Sequence, residues 1–266
     1  MFTAILSAFL VIAGMGLVLG LGLAVADKKL AVTKDEKLVQ LEGIMPGANC
    51  GGCGYAGCSA YAEAVFKGEA PIGHCAPGGA ALAAQMGRIM GQSVDMTQEK
   101  MVAYVHCRGN AGITATDFQY SGMEDCNAAY LLQGGPNACK EGCLHLGSCM
   151  KVCPAGAIFR DAEGFITVDS GKCIGCGKCT GVCPTGVIHM IPASATHVVA
   201  CNNHEAGGKV RKICKAGCIG CKICENKFPA SGCHVESFLS GIDYPGDADA
   251  LDAAAGACPQ NCIVRR

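Results

Sequence analysis

The sequence predicts an α+β chain: one N-terminal transmembrane helix, a small helical domain, then duplicated βαβ-type units carrying cysteine-rich loops. Three observations predict it. Residues 2–26 contain no charged side chain. Cysteine occurs 22 times in 266 residues, with tight CxxC spacing at Cys50/Cys53, Cys173/Cys176/Cys179 and Cys218/Cys221/Cys224. Cys153-Pro-Ala-Gly-Ala-Ile158 is nearly copied by Cys183-Pro-Thr-Gly-Val-Ile188, the mark of an internal duplication.

The N-terminal run, Phe2 to Ala26, is long enough to cross a hydrocarbon core of about 30 Å as a helix. Asp27, Lys28 and Lys29 follow at once, and the basic pair predicts that this flank is cytoplasmic. A cleavable signal is the competing reading. The apolar stretch is too long for one, lacks a basic leading region and meets no clear cleavage site. Gly16 and Gly20 form a GxxxG pair that lets another membrane helix approach closely, although glycine is common in membrane helices without that role. No GxGxxG stands between a strand and a helix, so these glycines are not a dinucleotide loop.

Past the anchor, Ala31 to Glu42 reads as a charged linker and short helix leading to Pro46. Cys58 to Lys67 reads as a helix stopped by Gly68, and Gly79 to Met90 as an Ala-rich helix stopped by Gly91. Met101 to Val105 reads as a strand, followed by a looser region to Gly135. Ala157 to Phe159 and Phe165 to Val168 flank a polar turn at Asp161 to Gly164 and read as a β-hairpin. A further copy starts at His197. There Val198-Val199-Ala200-Cys201 precedes Cys214-Lys-Ala-Gly-Cys218, as Val105-His106-Cys107 precedes Cys139-Lys-Glu-Gly-Cys143. The expected domains are an anchor over 1–28, a helical domain over 29–92, a connecting region over 93–135, a double unit over 136–195 and a degenerate unit over 196–266.

So many cysteines admit a disulfide scaffold or a set of metal sites. Disulfide scaffolds are short, secreted and irregular in spacing. The CxxC clusters here, several ending in Cys-Pro, favour metal in a reducing compartment. A net charge of −1 excludes the basic stripe of a nucleic-acid binder. Trp is absent and aromatics are few, so loops wrapped around metal replace a large core.

Cys173-Ile-Gly-Cys176-Gly-Lys-Cys179-Thr-Gly-Val-Cys183-Pro184 matches the bacterial [4Fe–4S] run, in which the fourth cysteine of each motif ligates the other cluster. Its partner motif is Cys139, Cys143, Cys149 and Cys153-Pro154. The crossed rule then predicts one cluster on Cys139, Cys143, Cys149 and Cys183, and another on Cys153, Cys173, Cys176 and Cys179. Paired zinc sites are the competing reading, since zinc also takes four thiolates. In the last copy Cys218, Cys221 and Cys224 remain, but Phe228-Pro229 stands where the fourth cysteine is due, so the second cluster of that unit is expected to be missing. Cys258-Pro259 aligns with Cys183-Pro184 and supplies the fourth ligand, with Cys214 as a rival. Cys262 aligns with Val187 and Ala157 and is expected to pack rather than ligate. Cys50, Cys53, Cys58 and Cys75, interleaved with Gly51, Gly52, Gly54 and Gly57, form a separate site where glycine permits close backbone approach. Four [4Fe–4S] clusters are therefore expected. For the isolated Cys107, Cys126, Cys201 and Cys233, buried free thiols are the default; a shared site joining Cys107, Cys126 and Cys201 is the alternative. His74 stands beside Cys75, but that site is already filled, and no His/Cys spacing suits a Rieske centre.

This order of parts, with Pro46-Gly-Ala-Asn-Cys50-Gly-Gly-Cys53-Gly-Tyr-Ala-Gly-Cys58 and Cys75 ahead of a double ferredoxin motif, resembles the B subunit of the Rnf complex. The likeness covers nearly the whole chain, and the longer C-terminal part is similar to the extended form found in anaerobes. The resemblance implies ferredoxin-like cluster domains and membership of an ion-translocating ferredoxin:NAD oxidoreductase. It also implies electron transfer between ferredoxin and other, membrane-embedded subunits, with the Cys50 to Cys75 cluster nearest the membrane. The location implied is the cytoplasmic (inner) membrane, single-pass, with the clusters on the cytoplasmic side. Phe228 departs from the regular pattern. No nucleotide loop, flavin motif or acid–base pair is evident, so NAD chemistry and ion movement are expected of partner subunits. The rival functions are a stand-alone membrane-anchored polyferredoxin, a radical or dehydratase enzyme with one open iron, and a zinc protein.

Overall fold

The computed structural model describes residues 2–30, 35–93 and 99–266. Residues 31–34 of the predicted linker and 94–98 of the connecting region lie outside the described residues. Helix α1 runs over Phe2–Leu30, with Phe9, Leu10, Ile12, Leu17, Val18 and Leu23 all exposed. Among the described residues no helix is long and apolar enough to cross a membrane. In α1 the continuous stretch described with its side chains, 12–27, is shorter than the roughly 20 residues a span takes.

Three helices build the next unit: α2 (Glu36–Ile44), α3 (Cys58–Lys67) and α4 (Gly79–Met90). Asp35 starts α2 by accepting the Lys37 amide at 2.9 Å. Gly68 at φ 76° ends α3 and Gly91 at φ 70° ends α4, the left-handed stops that glycine makes cheaply. Both helices have the limits the sequence predicts. Leu41, Tyr61, Val65, Leu82 and Met86 are buried between them, each fully buried large side chain contributing about 1.5–3 kcal/mol.

The rest is one pattern used twice. The first copy comprises β1 (Met101–Val105), α5 (Cys126–Tyr130), α6 (Ser148–Lys151), β2 (Ile158–Arg160), β3 (Ile166–Val168), α7 (Lys178–Val182) and β4 (Ile188–Pro192). The second comprises β5 (His197–Val199), α8 (Gly207–Ile213), α9 (Ile223–Lys227), β6 (Cys233–Glu236), β7 (Leu239–Ile242), α10 (Ala248–Ala257) and β8 (Ile263–Arg265). In each copy the outer strands pair with one another, Val105 opposite Ile188 and Val199 opposite Ile263. A hairpin lies between them in sequence, β2 with β3 and β6 with β7.

Every strand pair among the described residues is antiparallel, which corrects the βαβ-type expectation. The helices flanking the strands span four to ten residues, whereas a parallel crossover takes a dozen or more. Val102, Ala157, Ile158, Val187 and Ile188 fill the first copy; Val199, Leu251, Ala254 and Ile263 fill the second. Hydrogen bonds join the copies. The His106 ring donates through Nδ1 to the Val199 carbonyl at 2.6 Å, and Asn202 Nδ2 reaches the Glu141 and Thr185 carbonyls at 3.4 Å each.

Candidate metal centres

Three loops share one backbone. Counting from Cys143, Cys173 and Cys218, the second residue on has positive φ each time: His145 (58°), Gly175 (71°) and Gly220 (61°). So does the fourth: Gly147 (77°), Gly177 (71°) and Lys222 (59°), each opening a short helix, α6, α7 or α9. The Cys-Pro loops match as well, since the third residue after Cys153, Cys183 and Cys258 is Gly156 (57°), Gly186 (64°) and Asn261 (47°). A left-handed residue between successive cysteines turns the chain so that their side chains face one side, and amides come round toward the sulfurs.

That common frame puts Leu146 where the other loops carry Cys176 and Cys221, so the first copy lacks one corner. Cys126 faces the gap. It lines a cavity with Cys143, Cys149 and Cys183, about 350 Å³ of empty space, mouth included, walled by Val105, Ile166 and Ile188. The Cys126 amide donates to Ser148 Oγ at 2.7 Å, and that hydroxyl donates to Asp125 at 2.9 Å. Asp125 in turn caps α5 by accepting the Ala128 amide. Burial pushes the Cys149 thiol up to about 11, with Cys126 and Cys183 adding to the rise. Cys139, expected in this group, is not there. It lines a neighbouring cavity with Cys107, Cys201 and Cys214. The alternative grouping of Cys107, Cys126 and Cys201 is likewise broken, because Cys126 lines a different cavity from the other two. The signal that could have found Cys126 was in the sequence: the frame Cys143-x₂-Leu146-x₂-Cys149 leaves one ligand position apolar.

Cys153, Cys173, Cys176 and Cys179 lie near one another. Burial raises the Cys176 thiol, with Cys50, Cys153 and Cys173 adding to the rise, and burial lifts Cys179 to about 12, with Cys173, Cys176 and Cys149 adding. The Cys153 sulfur accepts the Ala157 amide at 3.3 Å, and Cys173 accepts that of Ala103 at 3.5 Å.

Cys50, Cys53, Cys58 and Cys75 also converge. Burial raises Cys75, and the other three add to the rise. Asn49 Oδ1 accepts the Cys58 amide at 2.8 Å. The buried Tyr61 hydroxyl donates to the Pro71 carbonyl at 2.8 Å and accepts the His74 amide at 3.1 Å, pinning the Cys75 loop to α3. This group abuts the previous one: a Cβ on Gly52 would lie 2.6 Å from the Cys176 carbonyl oxygen.

In the second copy Cys218, Cys221, Cys224 and Cys258 line a cavity of about 350 Å³, mouth included, and Cys262 lines it too. Cys262 lies 3.4 Å from Cys258, sulfur to sulfur. Its thiol donates to Cys258, holding that group down at about 5, and the Cys262 amide donates there as Ala157's does to Cys153. Cys233 donates likewise to Cys224, held at about 6. Cys214, the rival fourth corner, is committed to the other cavity.

Among the described residues, no three His, Cys, Asp or Glu side chains are set to hold a single metal ion. Cysteines line three cavities, and backbone or side-chain donors point at several of the sulfurs, which fits a cubane with one thiolate per iron. Such an arrangement defines a multi-cluster iron–sulfur protein of the ferredoxin kind.

Comparisons agree with that class. Residues 45–77 match the family described as "Putative Fe-S cluster", and residues 136–196 match the "LdpA Fe-S cluster-binding domain". The B subunit of the ion-translocating oxidoreductase complex of Methanosarcina acetivorans is 38% identical over 100% of both chains. The B subunit of the proton-translocating ferredoxin:NAD(+) oxidoreductase complex of Clostridium ljungdahlii is 40% identical over 94% of this chain and 88% of its own. The Na(+)-translocating counterpart of Acetobacterium woodii is 36% identical over 99% and 78%. The chain belongs to this family: it is an iron–sulfur B subunit of the ion-translocating oxidoreductase, or Rnf, type.

Proposed function

We propose that the chain relays electrons between ferredoxin and the membrane-embedded redox subunits of an ion-translocating ferredoxin:NAD oxidoreductase, with α1 as its membrane anchor on the cytoplasmic face. Four ligand sets carry this reading: Cys50, Cys53, Cys58 and Cys75; Cys153, Cys173, Cys176 and Cys179; Cys126, Cys143, Cys149 and Cys183; and Cys218, Cys221, Cys224 and Cys258. When bound, each [4Fe–4S] cluster supplies a one-electron carrier. The chain's own residues space these groups, bury them from water and aim amides at their sulfurs, which tunes reduction potential.

The observation that carries the reading is adjacency. Gly52 touches the Cys176 loop, and α6, which carries Cys149, packs against α7, which carries Cys179, so the first three thiol groups adjoin. Glycine at 52 is what lets the loops close. The uncharged, exposed face of α1 supports the anchor, since so large an apolar surface calls for lipid or a partner.

The test is an iron, sulfide and electron count on the anaerobically purified full chain. About sixteen irons or more, with reversible bleaching of the brown colour by reduced ferredoxin, is the expected result. Iron near eight, or no reduction by ferredoxin, overturns the relay.

A further inference from the structure

The cavity that takes Cys139 away from its expected partners is built like the others. We propose that Cys107, Cys139, Cys201 and Cys214 hold a fifth [4Fe–4S] cluster, seated between the two copies of the duplicated unit. The proposal rests on the iron–sulfur reading above and adds a site to it.

Size is the first ground. The four thiols ring about 330 Å³ of empty space, mouth included, against about 350 Å³ for the two cavities whose cysteines belong to recognised motifs. A disulfide does not account for it, since all four cysteines are free.

Donors are the second ground. Each of the four sulfurs accepts a hydrogen bond: Cys107 from the Gly109 amide at 3.3 Å, Cys139 from Asn203 Nδ2 at 3.2 Å, and Cys214 from Thr114 Oγ1 at 3.5 Å. Cys201 accepts two, from the amides of Asn203 at 3.5 Å and Cys218 at 3.2 Å. Donors converging on sulfur suit thiolates bound to iron far better than a group of neutral thiols, which are weak acceptors. Gly142 keeps the wall thin, because a Cβ there would meet Cys139 Sγ at 3.3 Å.

Symmetry is the third. Cys107 and Cys201 each stand two residues past the end of an outer strand, β1 or β5. Cys139 and Cys214 each stand four residues before the first cysteine of a cluster loop, in Cys139-Lys-Glu-Gly-Cys143 and Cys214-Lys-Ala-Gly-Cys218. Each copy therefore contributes one equivalent pair, and the site exists only where the copies meet. The His106 and Asn202 hydrogen bonds that join the copies line its rim.

Position is the fourth. Val105, two residues before Cys107, walls the Cys143 cavity, and the Cys218 amide bonds Cys201 directly. The fifth site thus stands between the Cys126/Cys143/Cys149/Cys183 group and the C-terminal group. Cys233 and Cys262 are then the two thiols left over.

The test uses the anaerobically purified full chain. About twenty irons per chain are expected, falling by about four in Cys201→Ser/Cys214→Ser while the other cluster signals persist by EPR. Asn203→Ala, which removes the donor to Cys139 but no ligand, should keep its iron and lower one reduction midpoint. Iron near sixteen, with Cys107, Cys139, Cys201 and Cys214 open to alkylation, overturns the fifth site and leaves the four-cluster relay standing; zinc in place of that iron overturns it too. If the double serine variant fails to fold, the Asn203→Ala midpoint decides, and an unmoved midpoint counts against the site.

Discussion

Leu146 sits at a position where the related loops carry Cys176 and Cys221, and Cys126 comes from a separate helix to face the same cavity. Ligation by a residue from outside the loop asks for a second support, and the Asp125–Ser148 hydrogen bond provides it. Two expectations follow. Cys126→Ser should cost about four irons, one cluster's worth, and adding Leu146→Cys to that variant should restore them, because the backbone around 146 already has the loop conformation. Iron analysis and EPR of the single and double variants check this; full iron in Cys126→Ser would return the corner to Cys139. Sequence spacing had favoured Cys139 because it falls in the same run as Cys143 and Cys149, yet the left-handed residues at His145 and Gly147 show that the cluster loop begins at Cys143.

At the scale of elements, loops rather than sheets hold this protein together. Among the described residues the four sheets have two strands each, too few to be stable alone, so the cysteine loops between them share the packing. The meeting of the Gly51–Gly54 loop with the Cys176 loop is one such joint. In Gly52→Ala the new methyl would press on the Cys176 carbonyl, backbone against backbone, where no side chain can swing aside. We expect a loss of about 1–3 kcal/mol in stability, full iron content, and slower electron equilibration between the N-terminal group and the rest. Denaturant unfolding and rapid-mixing kinetics measure the two effects. A variant as stable and as fast as the parent would mean that this contact does not set the distance between the groups.

On the scale of the whole molecule, the thiol groups adjoin in series: the Cys50–Cys75 group meets the Cys153/Cys173/Cys176/Cys179 group, which meets the Cys126/Cys143/Cys149/Cys183 group, and the shared cavity meets the C-terminal group. Helix α1, with its uncharged run over 2–26, precedes them all in sequence. Deleting residues 1–28 should yield a brown, soluble protein that keeps its iron and still accepts electrons from reduced ferredoxin. It should no longer support electron flow through the membrane complex at native protein levels, because tethering supplies the high local concentration at the partner. Full ferredoxin-to-NAD activity from the truncated chain would reduce α1 to a passive attachment.

Everything set by neighbours along the chain was legible in the sequence alone. The limits of α3 and α4 follow from helix-forming runs ended by Gly68 and Gly91, and the β2–β3 hairpin from its polar turn. The Cys50–Cys75 and Cys153–Cys179 sets follow from regular spacing, since a left-handed turn every few residues aims successive cysteines at one point. Which distant cysteines share a cavity was settled by packing in three dimensions. Cys126 reaches its group through a helix cap, and Cys107, Cys139, Cys201 and Cys214 meet because two copies of one unit pack against each other. No spacing rule records such meetings, because loop closure costs only slightly more as the loop lengthens, and the packed interface rather than the length of chain between them selects the partners.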